Sequence, residues 1–286
     1  MTLFLREDLA SAWRGRDPFA AARAQQGDIY RDKEGRRTLR FEIGNRGYFL
    51  KLHQGVGWGE IFKNLAQGRL PVLGAANEYD AIRALEKLGL DTLSPAGYGC
   101  QGHNPAKQLS FLVTDELTGV ESLEDFCNRW PKQAPDFALK RRLIRRVADI
   151  ARIFHGAGIN HRDFYLCHFL LDTQARAGAS VTAANIEQRP IYLLDLHRAQ
   201  IRKRVPWRWL VKDIGGLYFS ALDIGLSRRD VFRFMRAYGQ KPLRRLLAED
   251  GDFWRAVARR ARQIYVRDHR REPGSPAWLG HKVESP

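Results

Sequence analysis

The sequence predicts an α+β fold in two lobes, a small β-rich lobe over residues 1–117 and a larger, mostly helical lobe over residues 118–286. Three observations carry that expectation. A chain of 286 residues suits one large domain or two small lobes that share a cleft. Its first third reads as alternating apolar and polar segments divided by turn residues. The stretch from Trp207 to about Arg271 is helical in character.

In chain order, IYRDKEGRRTLRFEI and RGYFLKLH alternate on either side of Gly44 and Asn45, the pattern of a hairpin or meander, which puts Lys51 near the end of a strand. Trp58, Ile61, Phe62 and Leu65 then stand at i, i+3, i+4 and i+7, the stripe of a short helix ending before Pro71. That stripe either packs into the core or meets a partner. Residues 77–88 form a clearer helix, capped by Asn77 and ended by Gly89, with Ala81, Ile82, Leu85 and Leu88 on its apolar face. Glu78 points along that face, where its carboxylate either meets a cation or complements the helix dipole. LSFLVTDEL, residues 109–117, is a buried-looking strand that leads through Gly119 into a helix-prone segment.

From Ala138 onward, Leu139, Leu143, Val147, Ile150 and Phe154 recur at spacings of three and four, a long helix closed by Gly156 and Gly158. It delivers the chain to NHRDFYLCHFLLD, residues 160–172. Residues 172–190 read as a loop, the apolar run IYLLDLH as a buried strand closed by Asp195, and residues from 271 onward as a loosely ordered tail. The boundary between the lobes falls in the polar stretch after Leu117.

Charge narrows the class of partner. Lys and Arg number 48 against 32 Asp and Glu, a net +16 that exceeds what solubility requires and points to an anionic partner or surface. There is no run of about 18 apolar residues to span a bilayer and no secretory leader, so the expected place is the cytoplasm. Cys100, Cys127 and Cys167 lack C-x-x-C spacing and are read as free thiols.

Phosphoryl transfer from a nucleotide requires a cation on the phosphates, a carboxylate for the metal and a carboxylate beside the attacking hydroxyl. Lys51, Glu78, His161-Arg162-Asp163 and Asp195 supply these groups in the order of a protein kinase, each on the element its role requires. The tripeptide alone is a weak signal; the ordered set is a stronger one.

GRDPF (15–19), GVGWGEIFKN (55–64), LPVLGA (70–75), GINHRDFYLCHFLL (158–171), LLDLHRAQ (193–200) and YFSALDIGL (218–226) closely resemble the lipopolysaccharide core heptose kinase family over about residues 13–265. The resemblance implies a protein-kinase-like, two-lobed enzyme using ATP and Mg²⁺. It would phosphorylate heptose I of a heptosylated lipid A–core acceptor at the cytoplasmic face of the inner membrane. It also implies Asp163 as the catalytic aspartate, Lys51 on the α- and β-phosphates with Glu78 fixing it, and Asp195 on the metal.

Several expectations remain open at this stage. No G-x-G-x-x-G loop precedes Lys51; the equivalent turn holds Gly35, Arg36, Arg37 and Thr38, so Arg36 or Arg37 either contacts the nucleotide or is exposed on a β-turn. The adenine edge would meet backbone between Asp115 and Leu117. His168 replaces the asparagine of a kinase loop and is open to three roles: metal ligand, brace for Asp163 or Asp195, or packed side chain. His161 is expected to brace the loop, and Asp213, opening the YFSALD helix, to tie its backbone. Asp-Leu-His in place of Asp-Phe-Gly argues for a constitutively formed site.

RKRVPWRW, with Arg202, Lys203, Arg204 and Arg208, is the candidate contact for substrate or the anionic inner-membrane leaflet. The family association with acyl carrier protein suggests Trp58, Ile61, Phe62 and Leu65 as the contact for that acidic partner and its acyl chain. No nucleic-acid partner is expected. The rival readings are a related kinase acting on Kdo or protein tyrosine, and a kinase-like scaffold that binds acidic lipid.

Overall fold

The computed structural model describes residues 1–33, 35–55, 57–66, 74–174 and 180–274. They form two compact units: Met1–Lys87, Thr92–Thr118 and Leu196–Arg198 in one; Leu88–Asp91, Gly119–Asp195 and the chain from Ala199 in the other. The chain thus passes between units after Thr118, and two short segments, 88–91 and 196–198, belong to the unit opposite the one their neighbours suggest.

The first unit comprises β1 (Thr2–Leu5), α1 (Glu7–Ala12), α2 (Pro18–Ala24), β2 (Asp28–Lys33), β3 (Arg36–Ile43), β4 (Arg46–Gln54), α3 (Gly57–Ala66), α4 (Ala76–Lys87), β5 (Pro95–Gln101) and β6 (Leu109–Asp115). Among the described residues its strands make one six-stranded sheet in the order β1-β5-β6-β4-β3-β2, antiparallel throughout. Alternation along β3 and β4 sends Leu39, Phe41, Tyr48, Leu50 and Leu52 to one face, where they meet Leu9 of α1 and Phe19, Ala21 and Ala22 of α2 in a core. Asp17 caps α2 by accepting from the Ala20 amide at 2.8 Å, with Pro18 in the first turn where its missing N–H costs nothing.

Strands β1 and β5 are additions to the expected plan. PAGYGCQ carries no alternating signal because glycine supplies half of what would be an inward face. A Cβ on Gly99 would stand 2.4 Å from Phe111, and one on Gly97 2.5 Å from Leu9, so neighbouring side chains pack directly on the backbone. On the other face of the sheet, Tyr79 of α4 stacks on Tyr98 with ring centroids 4.2 Å apart. Helix α4 starts at Ala76, so Asn77 lies inside its first turn and is not the cap that the sequence suggested.

The second unit comprises β7 (Val120–Ser122), α5 (Leu123–Asn128), α6 (Phe137–Gly156), β8 (Ile159–Asn160), β9 (Phe169–Asp172), β10 (Ile191–Leu193), β11 (Gln200–Ile201), α7 (Trp207–Ser220), α8 (Arg228–Gly239), α9 (Leu243–Glu249) and α10 (Gly251–His269). Helix α6 is capped by Asp136, which accepts from the Leu139 amide, and buries Leu139, Leu143, Val147, Ala151 and Phe154. Gly119 precedes β7 and not a helix directly. Helix α7 begins at Trp207, so Asp213 sits in its middle and not at its start. An apolar pocket lies among α5, α6, α7, α8 and α10, lined by side chains such as Leu123, Trp130, Leu143, Leu217, Phe234 and Trp254.

Candidate active site

In the first unit, Lys51 stands midway along β4 and its Nζ donates to Glu78 Oε1 of α4 at 2.6 Å. Glu78 is 1% exposed, so its carboxylate has exchanged water for the lysine ammonium; of the two roles open to it, pairing with a cation is the one the fold uses. Cross-strand register then separates the two candidate arginines. Arg36 pairs opposite His53 and shares the sheet face of Lys51. Arg37 pairs opposite Leu52 on the face covered by α2, where Nη1 reaches the Arg23 carbonyl at 3.5 Å. Arg37 therefore lies on the sheet face opposite to Lys51, because one residue along a strand reverses the face. Burial pushes the His53 imidazole down to about 4, helped by Arg36 and Lys51, so the ring is neutral beside these cations.

Asp115, whose backbone is expected near the adenine, has its side chain in an ion-pair network. Its carboxylate accepts from Arg6 at 2.8 and 2.6 Å and from Arg46 at 2.8 Å. Its amide donates to the Ser94 carbonyl and that of Glu116 to the Gly47 carbonyl. Its side chain is structural, and Leu117 is the next backbone position after these two bonded amides.

In the second unit, β8 delivers His161-Arg162-Asp163 into a loop whose backbone is held from α7. Asp213, fully buried, accepts from the amides of His161 at 2.6 Å and Arg162 at 2.8 Å. Those two bonds support a left-handed backbone at Arg162, φ 79°, an uncommon conformation for a side-chain-bearing residue and one that recurs at functional sites. Asp195 is left-handed too, φ 59°. His161 donates through Nε2 to the Leu194 carbonyl at 2.7 Å, tying the loop to the residue before Asp195. Burial holds this imidazole below its usual range and keeps it neutral.

His168 connects the two acidic residues. Its Nδ1 lies 2.7 Å from the carbonyl oxygen of Asp163, which requires the proton on Nδ1. Nε2 is thereby turned to Asp195, 3.5 Å from Oδ2. The ring also stacks on His161 at 5.6 Å. This geometry combines two of the roles open to His168: it braces Asp163 through its backbone, and it presents a nitrogen beside the carboxylate assigned to metal. Among the described residues no group of three or more His, Cys, Asp or Glu gathers as a metal cage. The Asp195 carboxylate suits a magnesium ion that fills its remaining positions with water and phosphate oxygens, whereas the imidazole nitrogen of His168 is a poor match for so hard a cation.

The other predicted contacts divide by exposure. Lys203, Arg204 and Arg208 are exposed, as are Ile201 at 50% and Trp207 at 55%. Arg202 instead donates to Asn160 Oδ1 at 2.5 Å and Gln200 Oε1 at 2.6 Å, which spends its guanidinium inside the β8–β11 pair. Trp58 and Phe62 of α3 stack on each other at 5.8 Å on an exposed ridge, whereas Ile61 is buried. The Leu65 side chain and residues 70–73 of LPVLGA lie outside the described residues, as does the tail from 275. Arg162 was not singled out from sequence: it is 8% exposed with its guanidinium 5.0 Å over the Trp209 ring. No local signal pairs residues so far apart in the chain.

Residues 20–238 match the model of the lipopolysaccharide kinase (Kdo/WaaP) family. The chain is 47% identical over 270 residues to the lipopolysaccharide core heptose(I) kinase WaaP of Pseudomonas aeruginosa, covering 94% of this chain and 98% of that protein. It is 45% identical over 267 residues to the enzyme of the same name from Escherichia coli, covering 93% and 98%. A solved structure of WaaP in complex with acyl carrier protein superposes with a TM-score of 0.80 at 43% identity, covering 93% of this chain and all of that one. Both the kinase-like order of Lys51, Glu78, Asp163 and Asp195 and the likeness along nearly the whole chain lead to one conclusion: this chain belongs to the lipopolysaccharide kinase (Kdo/WaaP) family.

Proposed function

We propose that this chain is an ATP-dependent kinase that phosphorylates heptose I of the lipopolysaccharide inner core during core biosynthesis. The observation that carries the reading is the 161–168 loop, in which Asp213 holds the amides of His161 and Arg162 just before Asp163, and His168 lies between the Asp163 carbonyl and the Asp195 carboxylate. In this reading Asp163 orients the heptose hydroxyl and takes its proton as the oxygen–phosphorus bond forms and the bond to the leaving ADP breaks. Lys51, fixed by Glu78, engages the α- and β-phosphates. Arg36 adds positive field from the same sheet face, in place of a glycine-rich loop. Backbone at Leu117 meets the adenine edge. Asp195 would hold Mg²⁺, with His168 beside it reaching the ion through water, and the ion would offset the phosphate charge.

The acceptor is a heptosylated lipid A–core molecule, met at the anionic inner leaflet by Lys203, Arg204 and Arg208 with Ile201 and Trp207 inserted between the headgroups. No helix among the described residues is long and apolar enough to cross a membrane, so contact of this kind is peripheral. The acidic partner is an acyl carrier protein, as in the similar solved complex. Trp58 and Phe62, stacked on an exposed ridge of α3, offer a surface for that partner, and the apolar pocket of the second unit is where its acyl chain would go.

Incubation of heptosylated acceptor and ATP with wild type and Asp163→Ala, with the phosphate located by mass spectrometry, tests the assignment. Transfer to heptose I that falls by about 10²–10⁴-fold in the variant is expected. Phosphate found only on Kdo or on tyrosine, or turnover retained by Asp163→Ala, would sink it.

A further inference from the structure

One face of α7 carries Trp209, Asp213, Gly216 and Ser220, spaced i, i+4, i+7 and i+11, a row that a helix stacks along a single side. Each member meets part of the loop that bears Asp163. Trp209 lies under the Arg162 guanidinium, 5.0 Å from centroid to carbon. Asp213 accepts from the amides of His161 and Arg162. Gly216 lets the loop lie on the helix: a Cβ there would stand 3.1 Å from the Tyr165 ring and 3.2 Å from the Phe164 carbonyl oxygen. Ser220 Oγ accepts from the Leu166 amide at 3.0 Å while donating its own hydrogen to Leu217 O at 2.9 Å, so the hydroxyl's orientation is set by the helix.

The loop therefore runs alongside α7 and is gripped on both sides of Asp163, at the residue before it and at the three residues after it. The left-handed Arg162 needs such over-determination, since nothing in its own side chain favours that backbone. The indole N–H of Trp209 is buried without a hydrogen-bond acceptor among the described residues, so the ring is placed by packing and by the guanidinium on its face.

We propose that Trp209 and Ser220 are positioning residues for Asp163, working with Asp213 as a template that sets where the carboxylate stands. The proposal rests on Asp163 being the catalytic carboxylate. In protein kinases activation loops are commonly ordered by a phosphate that pairs with arginine; here an aromatic face of the chain itself lies under the arginine of the loop.

Full-length Trp209→Leu, Trp209→Phe, Ser220→Ala and Asp163→Ala, each purified with acyl carrier protein, supply the test. Trp209→Leu is expected to lower kcat by about 10²-fold with the KM for ATP within about twofold, because misplacing a reacting group costs rate and not nucleotide affinity. Trp209→Phe, which keeps an aromatic face for Arg162, should recover most of the loss. Ser220→Ala should speed hydrogen exchange at the Leu166 amide by about tenfold and lower kcat in step. Should Trp209→Leu not fold, Ser220→Ala decides by itself through the same two readings. Unchanged kcat in Trp209→Leu or Ser220→Ala, equal losses in the Leu and Phe variants, or unchanged Leu166 exchange each overturn the proposal. Turnover retained by Asp163→Ala overturns the underlying assignment of that aspartate, an outcome separate from a fully active Trp209→Leu beside a dead Asp163→Ala.

Discussion

His53 shows how one buried side chain links stability to pH. The folded protein holds its imidazole at about 4 against an ordinary value of 6.5. Between those values the unfolded chain takes up a proton that the folded chain refuses, so stability is complete above about 6.5 and declines as pH falls toward 4. The loss amounts to about 3 kcal/mol at most, from about 1.4 kcal/mol per pH unit, and His53→Leu should flatten this part of a denaturation-versus-pH curve if packing survives. A curve for the variant that keeps the wild-type slope would discount the assignment. His168 works through two atoms at once. His168→Ala is expected to reduce turnover by about 10–10²-fold and to raise the magnesium concentration needed for half-maximal rate, as losses beside metal ligands do. His168→Asn with wild-type rate and magnesium dependence would remove the need for an imidazole.

At the scale of elements, the loop around Asp163 depends on how closely β8 and β11 approach. Gly158 has φ 81°, and a Cβ there would lie 1.9 Å from the Arg202 carbonyl oxygen. Gly158→Ala should cost more than about 2 kcal/mol, combining an unfavourable backbone with a clash against main chain that has no rotamer to yield. Chemical denaturation measures it; a midpoint within experimental error of wild type would contradict the contact. Helix α6 was legible because its apolar residues repeat every three or four positions and an Asp precedes them. Strand β5 was not, because its inward positions are glycines that serve as floors for Leu9 and Phe111. The helical character from Trp207 was legible as well, but Asp213 lies in the middle of α7 and not at a helix start, because the basic and aromatic first turn belongs to the same helix.

For the molecule as a whole, two properties act over distance. The net charge of +16 favours an acidic partner at low ionic strength. Affinity for acyl carrier protein should fall by an order of magnitude or so as salt rises through the range where the Debye length shrinks from about 10 to 3 Å, measurable by titration calorimetry. Salt-independent binding would indicate an apolar interface. The apolar pocket of the second unit makes a separate claim. A carrier bearing a long acyl chain should raise the melting temperature of this protein by several degrees over a carrier without one, since a ligand bound only by the folded state stabilises it by mass action. Equal melting with both carriers would place the chain elsewhere.

The sequence by itself determined the residue types of the site and their order, because a strand lysine, a helix glutamate and two loop or strand-end aspartates must each occupy the element that suits them. It also determined the long helix and the net positive charge, through periodicity and composition, which are additive along a chain. Only the tertiary structure decided which side chains face each other: that Arg36 and not Arg37 shares a sheet face with Lys51, that the Asp115 carboxylate pairs with Arg6 and Arg46, that the Arg202 guanidinium bonds Asn160 and Gln200, and that Trp209 lies beneath Arg162. Those outcomes depend on register and on contacts between residues distant in the chain, where a shift of one position reverses a face and no local pattern records the partner.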